Sequence, residues 1–368
     1  MNILTLNVGS SSLKFGFYQV ATNGPILVAE GNVDTGGTRH VLRFRECGQW
    51  QELTFEGDAD AQALRGLLAL PPIVVLGAPA AVAHRIVHGG PSVRRHCLID
   101  DTVLAAIEAA ASFAPLHVPP ALAWVRHSRE LLPESQQVAC LDTAFHHPLP
   151  DMSRVLPLPH ALQREGVERY GFHGLSCESI LAQLPVIPPR VVIAHLGSGA
   201  SLTAVRDGRS VDTSMGMTPT GGIIMGTRPG DIDPGVMLFL LREKRCDAEQ
   251  LQDLLEHRSG LLGISDLSAD VRKLAEATGQ PLAELALEQF AMSVARQAAG
   301  MAVVLGGLNL LVFTGGIGEH HAPTRERVIA LLQPLLPSLQ TRVLPSRENL
   351  MMARHAARLV ASAPTAQK

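Results

Sequence analysis

An apolar strand, a glycine-rich bend and a second apolar strand occur in that order twice, roughly half a chain apart. The first copy runs through Ile3, Leu4 and Leu6, bends at Gly9 and Ser10–Ser12, and continues through Phe15, Phe17 and Tyr18. The second copy reads VVIAHLGSGASLTAV from Val191 to Val205 and bends at Gly197-Ser198-Gly199. With 368 residues, 46% of them hydrophobic, the chain can bury two cores of ordinary size. The repeated word therefore suggests one such unit per domain and an internal duplication. Two hairpins that merely look alike are the alternative.

Helical stretches separate these words. Residues 101–113 place Val103, Leu104 and Ile107 at helical spacing, with Asp100 or Asp101 as cap. Residues 282–305 form a long Ala-rich pattern, nearly uncharged after Glu288, which reads as a buried helix stopped by Gly306-Gly307. A short strand, 310–313, then enters Thr314-Gly315-Gly316-Ile317-Gly318. Strands alternating with helices imply an α/β architecture. The Pro-rich stretch 148–159 is the expected linker. It divides the chain into an N-terminal domain, 1–150, rejoined by a C-terminal segment from about 353 to 368, and a second domain, 151–352.

Composition excludes several classes. A net charge of -3 argues against a nucleic-acid binder. No apolar run reaches the length of a membrane span, and the N-terminus lacks the pattern of a signal peptide. The five cysteines are scattered, with no pair at metal-binding spacing, which favours a reducing, cytoplasmic setting.

Three glycine-rich turns follow apolar strands: Gly9–Ser12, Gly197–Gly199 and Gly315–Gly318. Glycine lets backbone N–H groups approach a phosphate, so three turns together point to a nucleotide site. None is a P-loop or a dinucleotide fingerprint. Arg85, beside Gly89-Gly90, and Arg228, among Gly226 and Gly230, offer guanidinium forks for a phosphoryl group or a carboxylate. Structural salt bridges would use the same residues. Asp142 follows the apolar run Val138–Cys140, at the end of a strand where α/β sites lie, and suits orienting a nucleophile or holding Mg2+ through water.

These words lie in longer ones. They include Asn7-Val8-Gly9-Ser10-Ser11-Ser12-Leu13-Lys14-Phe15, His84-Arg85-Ile86-Val87-His88-Gly89-Gly90, Asp142-Thr143-Ala144-Phe145-His146, Arg169-Tyr170-Gly171-Phe172-His173-Gly174 and Phe313-Thr314-Gly315-Gly316-Ile317-Gly318-Glu319. In this order, over nearly the whole chain, the sequence resembles the acetate kinases of the sugar kinase–Hsp70–actin superfamily. The resemblance implies two actin-like (RNase H-like) domains with a cleft between them, a homodimer, and direct in-line transfer between ATP and acetate, giving acetyl phosphate and ADP with Mg2+ or Mn2+. By the same resemblance, Arg85 and Arg228 clamp the transferring group and His173 donates to it. His117 supports, and Asp142 orients the acceptor or a metal-bound water. Asn7 and Glu348 hold the metal. Ser10, Ser12 and Lys14 line the phosphate site, with His195, Gly197, Ser198 and Gly199 as the nucleotide phosphate turn. Asp270, Arg272, Gly315, Gly316, Ile317 and Gly318 form the adenosine side.

The resemblance places the acyl pocket at Val87, Leu116, Phe172 and Pro219. A methyl group fits there, and each further methylene shifts discrimination by only ~1 kcal/mol, so propionate is expected to be a poorer substrate. A propionate or butyrate kinase is the alternative. A non-catalytic nucleotide-binding homologue would lack Arg85, Asp142 or Arg228, and all three are present. The sequence departs from the family pattern at Ser198 and Val118, where Asn is usual, at Cys177, where His is usual, at Thr220-Gly221-Gly222 for Leu-Glu-Gly, and at Asn349, where a Glu is usual.

Overall fold

The computed structural model describes residues 1–9, 12–34, 39–46, 49–56, 59–243 and 245–362. They form two compact units, Met1–Ala144 with Arg347–Lys368, and Phe145–Ser346. Ser10, expected at the phosphate site, lies outside the described residues.

In the first unit, β1 (Asn2–Val8), β2 (Ser12–Ala21), β3 (Gly24–Asp34), β4 (Arg39–Glu46), β5 (Gln49–Glu56), β6 (Ala81–Ile86), β7 (Cys97–Leu98) and β8 (Gln136–Leu141) build one sheet. Its order is β5-β4-β3-β2-β1-β6-β8-β7. In the second unit, β9 (Arg190–Leu196), β10 (Ala200–Arg206), β11 (Arg209–Thr213), β12 (Leu310–Thr314) and β13 (Gln340–Val343) are ordered β11-β10-β9-β12-β13. The run β3-β2-β1-β6-β8 thus has the same plan as the whole second sheet. Three antiparallel strands lead into two parallel ones.

The central strands are apolar because both of their faces are covered. Ile3, Leu4 and Leu6 of β1, and Val191, Val192, Ile193 and Ala194 of β9, are fully buried. Thr5, buried among them, satisfies its hydroxyl by donating to the Gly16 carbonyl at 3.1 Å. The tight β1–β2 bend closes with Gly9 N–H donating to Ser12 O at 2.8 Å. A helix, Glu348–Ser362, returns to the first unit and packs Met351, Met352, Ala353 and Ala356 against β1 and β6.

Two features differ from the sequence expectation. The Pro-rich stretch is packed within the second unit: Leu149 is buried, and Ser153 Oγ donates to Val211 O at 2.7 Å. The helix Pro281–Leu305 is buried along one face only, through Ala283, Ala286, Phe290, Val294, Ala298 and Met301. Leu282, Leu285, Met292 and Val303 are exposed, so lack of charge did not mean full burial. The helix does stop at Gly306, in the left-handed region at φ 71°. Among the described residues, no helix is long and apolar enough to cross a membrane.

Two fully buried histidines make stability pH-dependent. Burial pushes both His84 and His146 down to about 4, although each gains a hydrogen-bond partner, Gln137 Oε1 at 2.8 Å and Phe172 O at 2.8 Å. An unfolded imidazole takes up its proton near 6.5 and the buried ring does not. Stability is therefore full above pH 6.5 and falls as pH drops from 6.5 to about 4, by roughly 3 kcal/mol per ring at most. Urea midpoints measured across this range should decline, and His146→Gln should flatten the decline. An equally steep decline in that variant would rule His146 out as a source.

Candidate active site

In the first unit the site forms where parallel strands end. The register pairs Arg85 with Cys140 and Ile86 with Leu141, so Arg85 of β6 lies beside Asp142, the residue after β8. Arg85 Nε donates to Asp142 Oδ2 at 2.9 Å and Nη2 donates to the same oxygen at 2.5 Å. Its Nη1 donates to Asn7 Oδ1 at 3.2 Å, and Asn7 Nδ2 donates to Glu348 Oε2 at 2.9 Å. Three strand ends and the start of the C-terminal helix thus bring Asn7, Arg85, Asp142 and Glu348 together. Asp142 and Asn7 are buried, with 1% and 6% exposure, so the charges interact in a poorly solvated setting. Burial pushes the Asp142 carboxyl up, against the pull of the Arg85 guanidinium. Burial opposes the Arg85 charge too, but Asp142 and Glu348 outweigh it, and Arg85 is held above its usual value. Arg85 is therefore a permanent cation.

Lys14 stands directly across from Asn7 in the β1–β2 register and is exposed. Ser12 opens β2. Val87, just beyond β6, is buried, while Leu116 is exposed. His117 precedes the helix Val118–Leu131 without a side-chain capping bond. Val118 is fully buried, so this departure serves packing. Asn349, the other departure here, has a buried Oδ1 with no hydrogen-bond partner among the described residues.

In the second unit the site gathers around the β9–β10 bend. Gly197 N–H donates to Gly199 O at 3.1 Å, and Ser198 O accepts from Gly226 N–H at 3.1 Å. A Cβ at Gly199 would lie 3.4 Å from Arg228 Nη1 and 3.6 Å from His173 Nε2. A guanidinium and an imidazole therefore converge on this glycine. Arg228 is steadied by donating from Nη1 to Pro219 O at 3.1 Å. His173 sits in the left-handed region at φ 58°, a strained conformation for a non-glycine residue. It is held by Ser201 Oγ at 2.9 Å from Nδ1 and by stacking on His195, centroids 4.2 Å apart and 17° from parallel. Phe172, next to it, is 1% exposed.

The third glycine turn is the first turn of a short helix, Gly315–His320. Gly315 has φ 78°, and a Cβ there would lie 2.7 Å from Leu196 O, so only glycine fits against β9. Among the described residues, nothing beyond its chain neighbours and its own helix backbone lies within 4 Å of a Cβ built on Gly316. Glu319 Oε1 accepts from Gly315 N–H at 3.0 Å and from Ser346 N–H at 2.9 Å, fixing Gly315–Gly318 in place. Asp270 and Arg272 chiefly hold each other: Asp270 caps the helix Val271–Glu276 and accepts from Arg272 Nη2 at 2.8 Å. The preceding Ala269 borders Gly226.

Sequence reading left Ser176, Ser201, Ser346 and Glu319 without a role. The strand register held one signal: Ser201 is the direct cross-strand neighbour of His195.

A model of the acetokinase family matches residues 2–360. The chain belongs to the acetokinase family. It is 40% identical to the acetate kinase of Rhodopseudomonas palustris strain TIE-1 over 390 aligned positions, covering 97% of this chain and 98% of that one. Its structure matches the crystal structure of Porphyromonas gingivalis acetate kinase with a TM-score of 0.85 and 31% identity, covering 98% and 99% of the two chains. A propionate kinase from Francisella tularensis matches with a TM-score of 0.89 and 32% identity, covering 97% and 99%. Acetokinases share the fold of the actin-like sugar kinases, and ATP or ADP with a divalent metal is what the family uses. The oxygen donors present fit such an ion. Asp142 and Glu348 outnumber the single guanidinium among them, and hard cations take carboxylate and amide oxygen.

Proposed function

We propose that this acetokinase transfers a phosphoryl group reversibly between ATP and acetate, with Mg2+ as the working metal. The reading is carried by one observation: the chain spans nearly the whole of relatives that are acetate kinases, and it has an Arg85–Asp142 pair and an Arg228–His173 convergence suited to phosphoryl transfer. Phosphoryl transfer asks little covalent chemistry of a protein, and positioned positive charge supplies most of the acceleration.

The roles follow from the two clusters. Asn7 and Glu348 would hold the divalent ion, with Asp142 reaching it through water, and the ion would neutralise phosphate charge. Arg85, oriented by Asp142, binds the carboxylate of the acid. Arg228 and His173 stabilise the transferring group, and His117 supports them. His195, Gly197, Ser198 and Gly199 cradle nucleotide phosphates, with Ser10, Ser12 and Lys14 contributing from the first glycine turn. Gly315–Gly318, Asp270 and Arg272 border the adenosine. Val87, Leu116, Phe172 and Pro219 are assigned to the acyl group. The common strand plan of the two sheets supports two actin-like halves of one duplicated design, divided after Ala144, not near residue 150. A cytoplasmic homodimer accords with the helix Pro234–Arg242, which exposes Val236, Leu238, Phe239 and Leu241.

A second reading, a kinase of propionate or butyrate, draws on the likeness to the propionate kinase and on the exposure of Leu116. Trapping acyl phosphate with hydroxylamine, using Mg-ATP and acetate, propionate or butyrate in parallel, separates the two. Acetate should give most acyl hydroxamate, with propionate about 10-fold lower in kcat/KM. A preference for the longer acids would overturn the acetate reading and leave the transfer chemistry in place.

A further inference from the structure

We propose that Ser346 and Ser176 form a hydroxyl relay that holds His195 in its neutral, Nε2-protonated tautomer. Ser176 is fully buried in the helix Gly174–Leu181. Its Oγ lies 2.8 Å from His195 Nδ1 and 3.1 Å from Ser346 Oγ. A hydroxyl has one proton to give, so Ser176 can donate to only one of these neighbours. Ser346 is placed from the far side, where its N–H donates to Glu319 Oε1, the oxygen that also accepts from Gly315 N–H.

The direction of the chain is set by what lies at its other end. A Cβ at Gly197 would be 3.8 Å from His195 Nε2, so that nitrogen faces the β9–β10 bend. The same bend receives Arg228 Nη1 and His173 Nε2 at Gly199. These are groups suited to an anion, and a lone pair on His195 Nε2 would repel one. With Ser346 donating to Ser176 and Ser176 donating to Nδ1, the ring proton is confined to Nε2 and the imidazole becomes a fixed donor. Stacking on His173 works the same way, because two imidazolium charges 4.2 Å apart would repel. Ser176 and Ser346 are thus positioning residues acting through His195. This inference rests on the proposed role of the bend as the nucleotide phosphate turn.

The test is nitrogen NMR on the full chain labelled with 15N-histidine, without nucleotide, with the His195 signals assigned from a His195→Gln variant. The wild-type ring should show a protonated Nε2 and an unprotonated Nδ1. Ser346→Ala should shift it toward a mixture of tautomers, and Ser176→Ala further. In the hydroxamate assay both variants should raise KM for ATP about 10-fold, the loss expected of one misdirected hydrogen bond, with KM for acetate unchanged. A wild-type ring protonated on Nδ1, or a tautomer unmoved by either substitution, overturns the relay. If Ser176→Ala does not fold, Ser346→Ala in its partly exposed loop decides alone. An Nε2-protonated ring in a chain that makes no acyl phosphate would leave the relay standing and defeat the proposed function.

Discussion

Asp142→Ala is expected to lower kcat by about 10³-fold and to destabilise the protein by about 3 kcal/mol. Both effects come from Arg85. The guanidinium is mostly buried, with 16% of its side chain exposed, and Asp142 accepts its Nε and Nη2 donors. Removing the carboxylate leaves a cation out of water, answered among the described residues by Asn7 and the more distant Glu348. It also frees the fork to rotate, and a misaimed fork loses the geometry on which in-line transfer depends. The double variant Arg85→Ala/Asp142→Ala separates the two effects. Stability should return toward wild type because no uncompensated charge remains, whereas activity should stay lost. Urea unfolding and the hydroxamate assay on the three variants provide the check. Near-normal turnover in Asp142→Ala would mean that the pair is a structural salt bridge and nothing more.

The parts of this protein legible in the sequence are those governed by local chemistry. The two glycine bends read out as bends because glycine weakens a strand and lets the backbone turn tightly, and the structure has them at Gly9 and Gly197–Gly199. Asp142 was visible as a carboxylate after an apolar run, and β8 ends at Leu141 as that reading requires. What escaped depends on the third dimension. Nothing in the spacing of Ser176, His195 and Ser346 announces a hydrogen-bonded chain, since the three lie on a helix, a strand and a loop far apart in sequence. The apolar stripe of the helix Pro281–Leu305 misled in the opposite sense. Its alanines are short enough to pack on either side, and sequence alone does not say which side has a neighbour. Glu319 was read as part of a family word, while its work, accepting two backbone N–H groups at the Gly315 turn, is invisible without coordinates.

Arg228→Ala should lower kcat by about 10³-fold while moving KM for acetate little, the pattern of a group whose contact strengthens in the transition state. The geometry argues for this division. Arg228 is steadied near Gly199 by its bond to Pro219 O, and His173 approaches the same glycine. His173 is kept there in a left-handed backbone conformation that a relaxed loop would abandon, at an expense of order 1–3 kcal/mol. Such strain persists where a fixed imidazole is worth more than a comfortable one. Arg228→Lys restores the charge without the planar fork, so it should recover less than about a tenth of the lost rate. His173→Gln, which keeps a donor of similar reach, should fall less far than His173→Ala. The measurement is single-turnover acyl phosphate formation at saturating ATP and acetate. If Arg228→Ala instead raised KM for ATP and left kcat alone, the arginine would be a ground-state phosphate binder, and the burden of transition-state charge would pass to Arg85 and the metal.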